Sequence, residues 1–194
     1  VLLLAVYLPG RIKTTAKHPM LLATKLWALA HLLVNGTLAD VLLPDGMKIM
    51  IIIGKLFTGN WLMQGMETFF LNVVDDLEFV ELLYDKICSL QWEVFERVID
   101  HPAVGGIWNP DDFSSRETTL LKPDHFRKYC FPTYKRMGRV CRQLGKPMIL
   151  HSDGNIWALL GDVVDAGFDG FHPVEGKVMD IFDVKRAYGN RLAL

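Results

Sequence analysis

From Ile49 onward, short apolar runs alternate with amphipathic stretches. Ile49–Met50–Ile51–Ile52–Ile53 is largely β-branched and stops at Gly54, the pattern of a strand buried on both faces. Asp75 and Glu78 stand at N-cap and N3 spacing. Val80, Leu83, Tyr84, Ile87, Val94, Phe95 and Val98 follow on one helical face, predicting a long helix to about Ile99 that His101–Pro102 breaks. Val104–Gly105–Gly106–Ile107–Trp108 reads as a strand with Asn109–Pro110–Asp111–Asp112 as its polar exit. Pro123 opens a helix at a favoured first-turn position, and Pro132 splits the pattern into helices over 123–131 and 133–144. Then come a strand over Pro147–Leu150, a helix over 155–166 capped by Gly167, and a strand over 168–172. A helix over 179–188 capped by Gly189 leads to the beginning of a strand at Arg191–Leu194.

Residues 1–48 are less legible. Turn signals stand at Pro9–Gly10, Asn35–Gly36 and Pro44–Asp45–Gly46, and Met20–Val34 fits a helix with apolar residues almost all round. Beyond Leu150 the strands recur roughly every twenty residues with a helix in each gap, the rhythm of parallel βα units. Two α/β architectures fit, an open doubly wound sheet or a TIM (β/α)8 barrel. A complete barrel takes about 250 residues, so the 194 residues are expected to form one domain that is an incomplete barrel, cut short at Leu194.

Charge narrows the partners. Lys plus Arg number 21 against 22 Asp plus Glu, and no basic stripe with interleaved aromatics exists, so a nucleic-acid partner is not expected. Cys88, Cys130 and Cys141 form no CxxC pair, which points to a reducing compartment and buried structural thiols. Val1–Leu8 is too short to span a bilayer, and Leu21–Val34 is interrupted by Lys25 and His31. A soluble, cytoplasmic protein acting on a small molecule, without a membrane partner, is the expectation.

Candidate chemistry gathers where strands end, because side chains there project from a rigid sheet toward helix N-termini. His151 and Asp153, two apart on a strand, point to one side and suit a metal or an acid/base pair; the alternative is a helix-capping Asp beside a hydrogen-bonded His. Asp111 and Asp112 follow the preceding strand, as an acid/base or cation-holding pair or as plain turn chemistry. His172 and Glu175 follow the next, with Pro173 fixing the exit. Arg116, Lys122 and Arg127 are either carboxylate-binding groups or solvated helix charges. No GxGxxG, Walker or GxSxG pattern exists, which argues against dinucleotide, P-loop and serine-hydrolase chemistry.

Five segments together resemble one family. They are Gly65–Met66–Glu67 before Asp75–Asp76–Leu77–Glu78; Gly106–Ile107–Trp108–Asn109–Pro110–Asp111–Asp112; Lys122–Pro123–Asp124–His125–Phe126 with Pro132; His151–Ser152–Asp153–Gly154–Asn155–Ile156; and Gly167–Phe168–Asp169–Gly170–Phe171–His172–Pro173–Val174–Glu175. From Phe57 to the end the chain resembles the uroporphyrinogen decarboxylase superfamily, which also contains corrinoid-dependent methyltransferases. The resemblance implies a TIM barrel with its cleft at the strands' carboxyl ends. In the methyltransferase branch the segment matching His151–Gly154 reads His–x–Cys–Gly and binds a thiol-activating zinc. Asp153 stands in the Cys place here, and a carboxylate is a harder ligand than a thiolate. A further family ligand would fall beyond Leu194. The arginine-rich N-terminal motif of the true decarboxylases has no match in residues 1–48.

The resemblance thus implies a metal-assisted, corrinoid-linked methyltransferase. The strand-end reading makes Asp111, Asp112, His151 and Asp153 the candidate catalytic residues, the resemblance giving Asp111 and Asp112 a place in the site but no role; His172 and Glu175 are the candidate substrate contacts, and His151, Asp153 and Glu175 the candidate zinc ligands. The corrinoid would come on a partner protein and the substrate would be a methyl donor. Two alternatives stand beside it: a cofactor-free decarboxylase acting on a tetrapyrrole, and an incomplete barrel without activity.

Overall fold

A computed structural model describes residues 47–194. The helix expected over Met20–Val34 and the turns up to Pro44–Gly46 lie outside the described residues. Four strands, β1 (Ile49–Ile52), β2 (Val104–Pro110), β3 (Met148–His151) and β4 (Gly170–His172), form one sheet. All pairs are parallel and the spatial order is β1-β2-β3-β4. With right-handed crossovers, a sheet that always advances in one direction keeps its helices on one face, as a barrel does; a doubly wound sheet reverses order. Of the two architectures the sequence allows, the barrel type is the one formed.

Helices α1 (Leu56–Gln64), α2 (Met66–Asp75) and α3 (Leu77–Val98) connect β1 to β2. Helices α4 (Pro123–Tyr129) and α5 (Phe131–Gln143) connect β2 to β3, with Pro132 in the first turn of α5. A 3-10 turn over Trp157–Leu159 runs into α6 (Leu160–Ala166), and α7 (Ile181–Tyr188) follows β4. Ala193 then pairs in parallel with Gly170, where the sequence predicts the start of another strand.

Local chemistry sets most of the boundaries. The N-cap of α3 is Asp76, whose carboxylate accepts from the Phe79 amide at 3.1 Å; Asp75, the cap expected from sequence, is instead the last residue of α2. Val80, Tyr84, Ile87 and Phe95 form the buried stripe of α3, while Val94, expected on this face, is exposed. Gly167 ends α6 in the left-handed conformation, at φ 91°, as a glycine C-cap should. Gly189 closes α7 with φ −67°, so it is not a left-handed cap; its lack of a side chain matters instead for space, since a Cβ there would sit 2.5 Å from the Lys185 carbonyl oxygen.

The sheet has two unlike faces. Ile107, Met148, Leu150 and Phe171 point into a core of helix residues that includes Phe57, Phe126, Tyr134, Met137 and Val163. The opposite face carries Met50, Ile52, Trp108, Ile149 and, at its carboxyl end, His151 and His172. Here the sequence expectation for β1 fails: Ile49 and Met50 are exposed, and Ile52 is 71% exposed. The cause is position: among the described residues β1 pairs only with β2, and no helix covers the face to which Met50 and Ile52 belong.

Candidate active site

Register places the site. Pro110, His151 and His172 are direct neighbours across β2, β3 and β4, so three exit loops start at one level at the sheet's carboxyl end. The loops are then laced together. The Phe113 amide donates to Ser152 Oγ at 3.1 Å, Ser114 Oγ to the Asp153 carbonyl at 2.8 Å, and the Asn155 amide to the Ser115 carbonyl at 2.7 Å. Gly154 permits this approach: its φ is 81°, and a Cβ there would sit 2.3 Å from the Ser115 oxygen. Beneath, Phe113 packs edge-on against Phe126 at 5.1 Å, anchoring the β2 loop in the core.

This lacing brings together Asp112, His151 and Asp153, each offering one ligand atom within 4.8 Å of the others. One oxygen of Asp112 accepts from the Asp153 amide at 3.1 Å, which orients its carboxylate; its own amide donates to Thr58 Oγ1 at 3.0 Å. His151 Nε2 lies 3.9 Å from Asp153 Oδ1, too far for a hydrogen bond, and both side chains reach solvent, at 27% and 58% exposure. One imidazole and two carboxylates fit a divalent cation that accepts nitrogen and oxygen donors. No thiolate joins them among the described residues: Cys88 lies in α3, Cys130 at the α4–α5 junction and Cys141 in α5, and burial pushes all three thiols up, Cys141 to about 11.

The other expected site residues are deployed differently. Asp111 does not face the site. It is fully buried and points to the helix side, where Oδ2 accepts from the Phe57 amide at 3.0 Å and the Tyr134 hydroxyl at 2.7 Å, and Oδ1 from the Thr58 amide at 2.7 Å. It caps α1, whose own N-cap, Lys55, is left-handed and offers no side-chain bond. Burial pushes the Asp111 pKa up, and the Tyr134 hydroxyl and the two amides pull it partway back. Glu175, expected beside His151 and Asp153 as a ligand, lies outside the converging group and accepts from the Gly154 amide at 3.1 Å.

His172 joins the site through His151. Their Nδ1 atoms are 3.0 Å apart, and the two rings stack at 5.3 Å between centroids. Trp108 lies against both, 6.1 Å from the His151 ring and 5.3 Å from the His172 ring. Sequence reasoning missed Trp108 as a site residue, and it paired Asp112 with Asp111 as a possible cation holder, whereas the structure groups Asp112 with His151 and Asp153. Strand parity puts Trp108 on the face of Pro110, yet only the inter-strand register shows that this is also the face of His151. Arg127 is a surface residue, donating to Asp162 and Asp124.

Comparison with known proteins places this geometry in context. Residues 59–194 match the family described as uroporphyrinogen decarboxylase (URO-D), and residues 1–59 match that described as NnrU protein. Methylcobamide:CoM methyltransferase MtaA of Methanosarcina barkeri is 32% identical over 75 residues, covering 39% of this chain and 21% of that protein. A methyltransferase from Methanosarcina mazei superposes with a TM-score of 0.61 at 20% identity, covering 79% of this chain and 43% of that one. The chain therefore spans about a fifth of the curated relative and under half of the solved one. Among the described residues no helix is long and apolar enough to cross a membrane.

Proposed function

The chain belongs to the uroporphyrinogen decarboxylase family through residues 59–194, and from that premise we propose that it is a methyltransferase-type member whose site holds a divalent cation between Asp112, His151 and Asp153. The convergence of these three ligand atoms within 4.8 Å carries the reading. It replaces the ligand set expected from sequence, with Asp112 taking the place of Glu175. Bound there, the cation supplies Lewis acidity that lowers the pKa of a thiol or water.

The protein's own groups do the rest. Asp112 is held by the Asp153 amide so that one oxygen stays available, and His151 is fixed by its contact with His172. Trp108 supplies an apolar wall beside the imidazoles. The substrates of this reading are a methyl group on a corrinoid carrier, brought by a partner protein, and a small thiol acceptor. The similarity to a methylcobamide:CoM methyltransferase supports that class, and the donor set with carboxylates in place of thiolate supports zinc or a harder divalent cation.

The test is methyl transfer from methylcobalamin to a small thiol by the 194-residue chain, with the cation titrated in. Thioether formation that rises with cation and drops at least tenfold in Asp112→Asn is the expected result. Conversion of uroporphyrinogen to coproporphyrinogen without added metal would overturn the reading in favour of the decarboxylase.

A further inference from the structure

We propose that His172 is a positioning residue that sets which nitrogen of His151 is free to bind the cation. The inference rests on the cation-site reading and concerns one contact within it. Two imidazole nitrogens 3.0 Å apart form a hydrogen bond only when one of them carries the proton and the other is a bare acceptor. The Nδ1···Nδ1 contact therefore couples the two rings. If His151 holds the shared proton, its Nε2 is a bare lone pair; if His172 holds it, a neutral His151 is protonated on Nε2.

His151 Nε2 is the nitrogen on the Asp153 side, 3.9 Å from Oδ1. A cation between the carboxylates needs a lone pair at that atom, so the bound state requires Nδ1–H on His151 and an acceptor at His172 Nδ1. Metal-bound histidines commonly donate their second ring N–H to such a partner, and loss of the partner weakens metal affinity about 10–100-fold. A carboxylate or carbonyl usually fills that role; a second histidine fills it here. His172 adds a consequence of its own. As the acceptor it keeps its proton on Nε2, an atom with no hydrogen-bond partner among the described residues, and so offers a donor to an anionic substrate group.

The geometry also supplies the control. His172 is exposed and stacked against His151 and Trp108, so His172→Phe keeps an aromatic ring in the stack while removing the acceptor. His172→Asn places an amide oxygen where Nδ1 stands and restores it. Zinc affinity of the 194-residue protein is measured for wild type, His151→Ala, His172→Phe and His172→Asn, with nitrogen-15 spectra of the histidine rings in the zinc-loaded wild type. The expected result is a 10–100-fold loss in His172→Phe and recovery to within a few-fold of wild type in His172→Asn. His151 is expected as the Nδ1–H tautomer and His172 as the Nε2–H tautomer. If His172→Phe binds zinc as wild type does while His151→Ala does not, or if loaded His151 carries its proton on Nε2, the positioning role is overturned and the cation site stands. If wild type and His151→Ala bind zinc equally, the cation site itself falls and takes this inference with it.

Discussion

Asp111→Ala should unfold the helix side of the site rather than abolish chemistry. The wild-type carboxylate is fully buried and receives three hydrogen bonds, from the Phe57 and Thr58 amides and the Tyr134 hydroxyl. Alanine leaves all three donors buried without a partner, and each unsatisfied buried donor costs about 1–3 kcal/mol. Taken as a coupled group rather than a strict sum, the loss is about 3–6 kcal/mol, a large share of the about 5–15 kcal/mol that holds a typical domain together. Asp111→Asn keeps one oxygen but turns the other acceptor into a donor facing a donor, for a loss of about 1–3 kcal/mol. Urea denaturation followed by tryptophan fluorescence measures both. Tyr134→Phe removes one donor only and should fall below either, at about 1 kcal/mol. An Asp111→Ala protein within about 0.5 kcal/mol of wild type, the range of an ordinary surface substitution, would rule out the capping role. So would a variant that keeps its stability and loses cation binding, since Asp111 would then be a site residue and not a helix cap.

Acid should destabilise the protein through His125. Burial, and secondarily the Lys128 charge, lower its pKa from 6.5 to about 4, and its Nε2 lies 3.0 Å from the buried Tyr84 hydroxyl. The unfolded chain takes up this proton first, so the contribution is fully present above pH 6.5 and is lost as pH falls toward 4. For a ring that is only partly buried, the loss is about 1–2 kcal/mol after allowance for solvent screening, and His125→Gln should flatten the pH dependence of the urea midpoint over that window. Gly154→Ala should cost about 2 kcal/mol or more in thermal or urea unfolding, because φ is positive and the new Cβ meets the Ser115 oxygen at 2.3 Å. A Gly154→Ala protein as stable as wild type would remove the lacing of the β2 and β3 loops from the explanation.

Much of the fold is local and therefore readable in the chain. The runs at Ile49–Ile53, Val104–Trp108 and Pro147–Leu150 become strands, Pro123 and Pro132 mark helix starts, and Gly167 ends a helix in the left-handed conformation. What escapes the sequence is decided between elements. Asp75 and Asp76 are equivalent as caps until α2 claims the first of them. Ile52 reads as core, but its exposure depends on which strands and helices flank β1. Asp111 and Asp112 are adjacent and chemically identical, yet successive residues leaving a strand face opposite sides. One caps α1 and the other meets His151 and Asp153, an outcome fixed by the register of β2 on β3.

The proposed function turns on a cation held by Asp112, His151 and Asp153. A crystal structure of the protein grown with cobalt or zinc, with anomalous scattering recorded at the metal's absorption edge, would locate it. One strong peak is expected at the carboxyl end of β3, within about 2.0–2.2 Å of a nitrogen of His151 and an oxygen of each aspartate. Absence of a peak there at saturating metal, or a peak bound by Glu175 without Asp112, would contradict the proposed function.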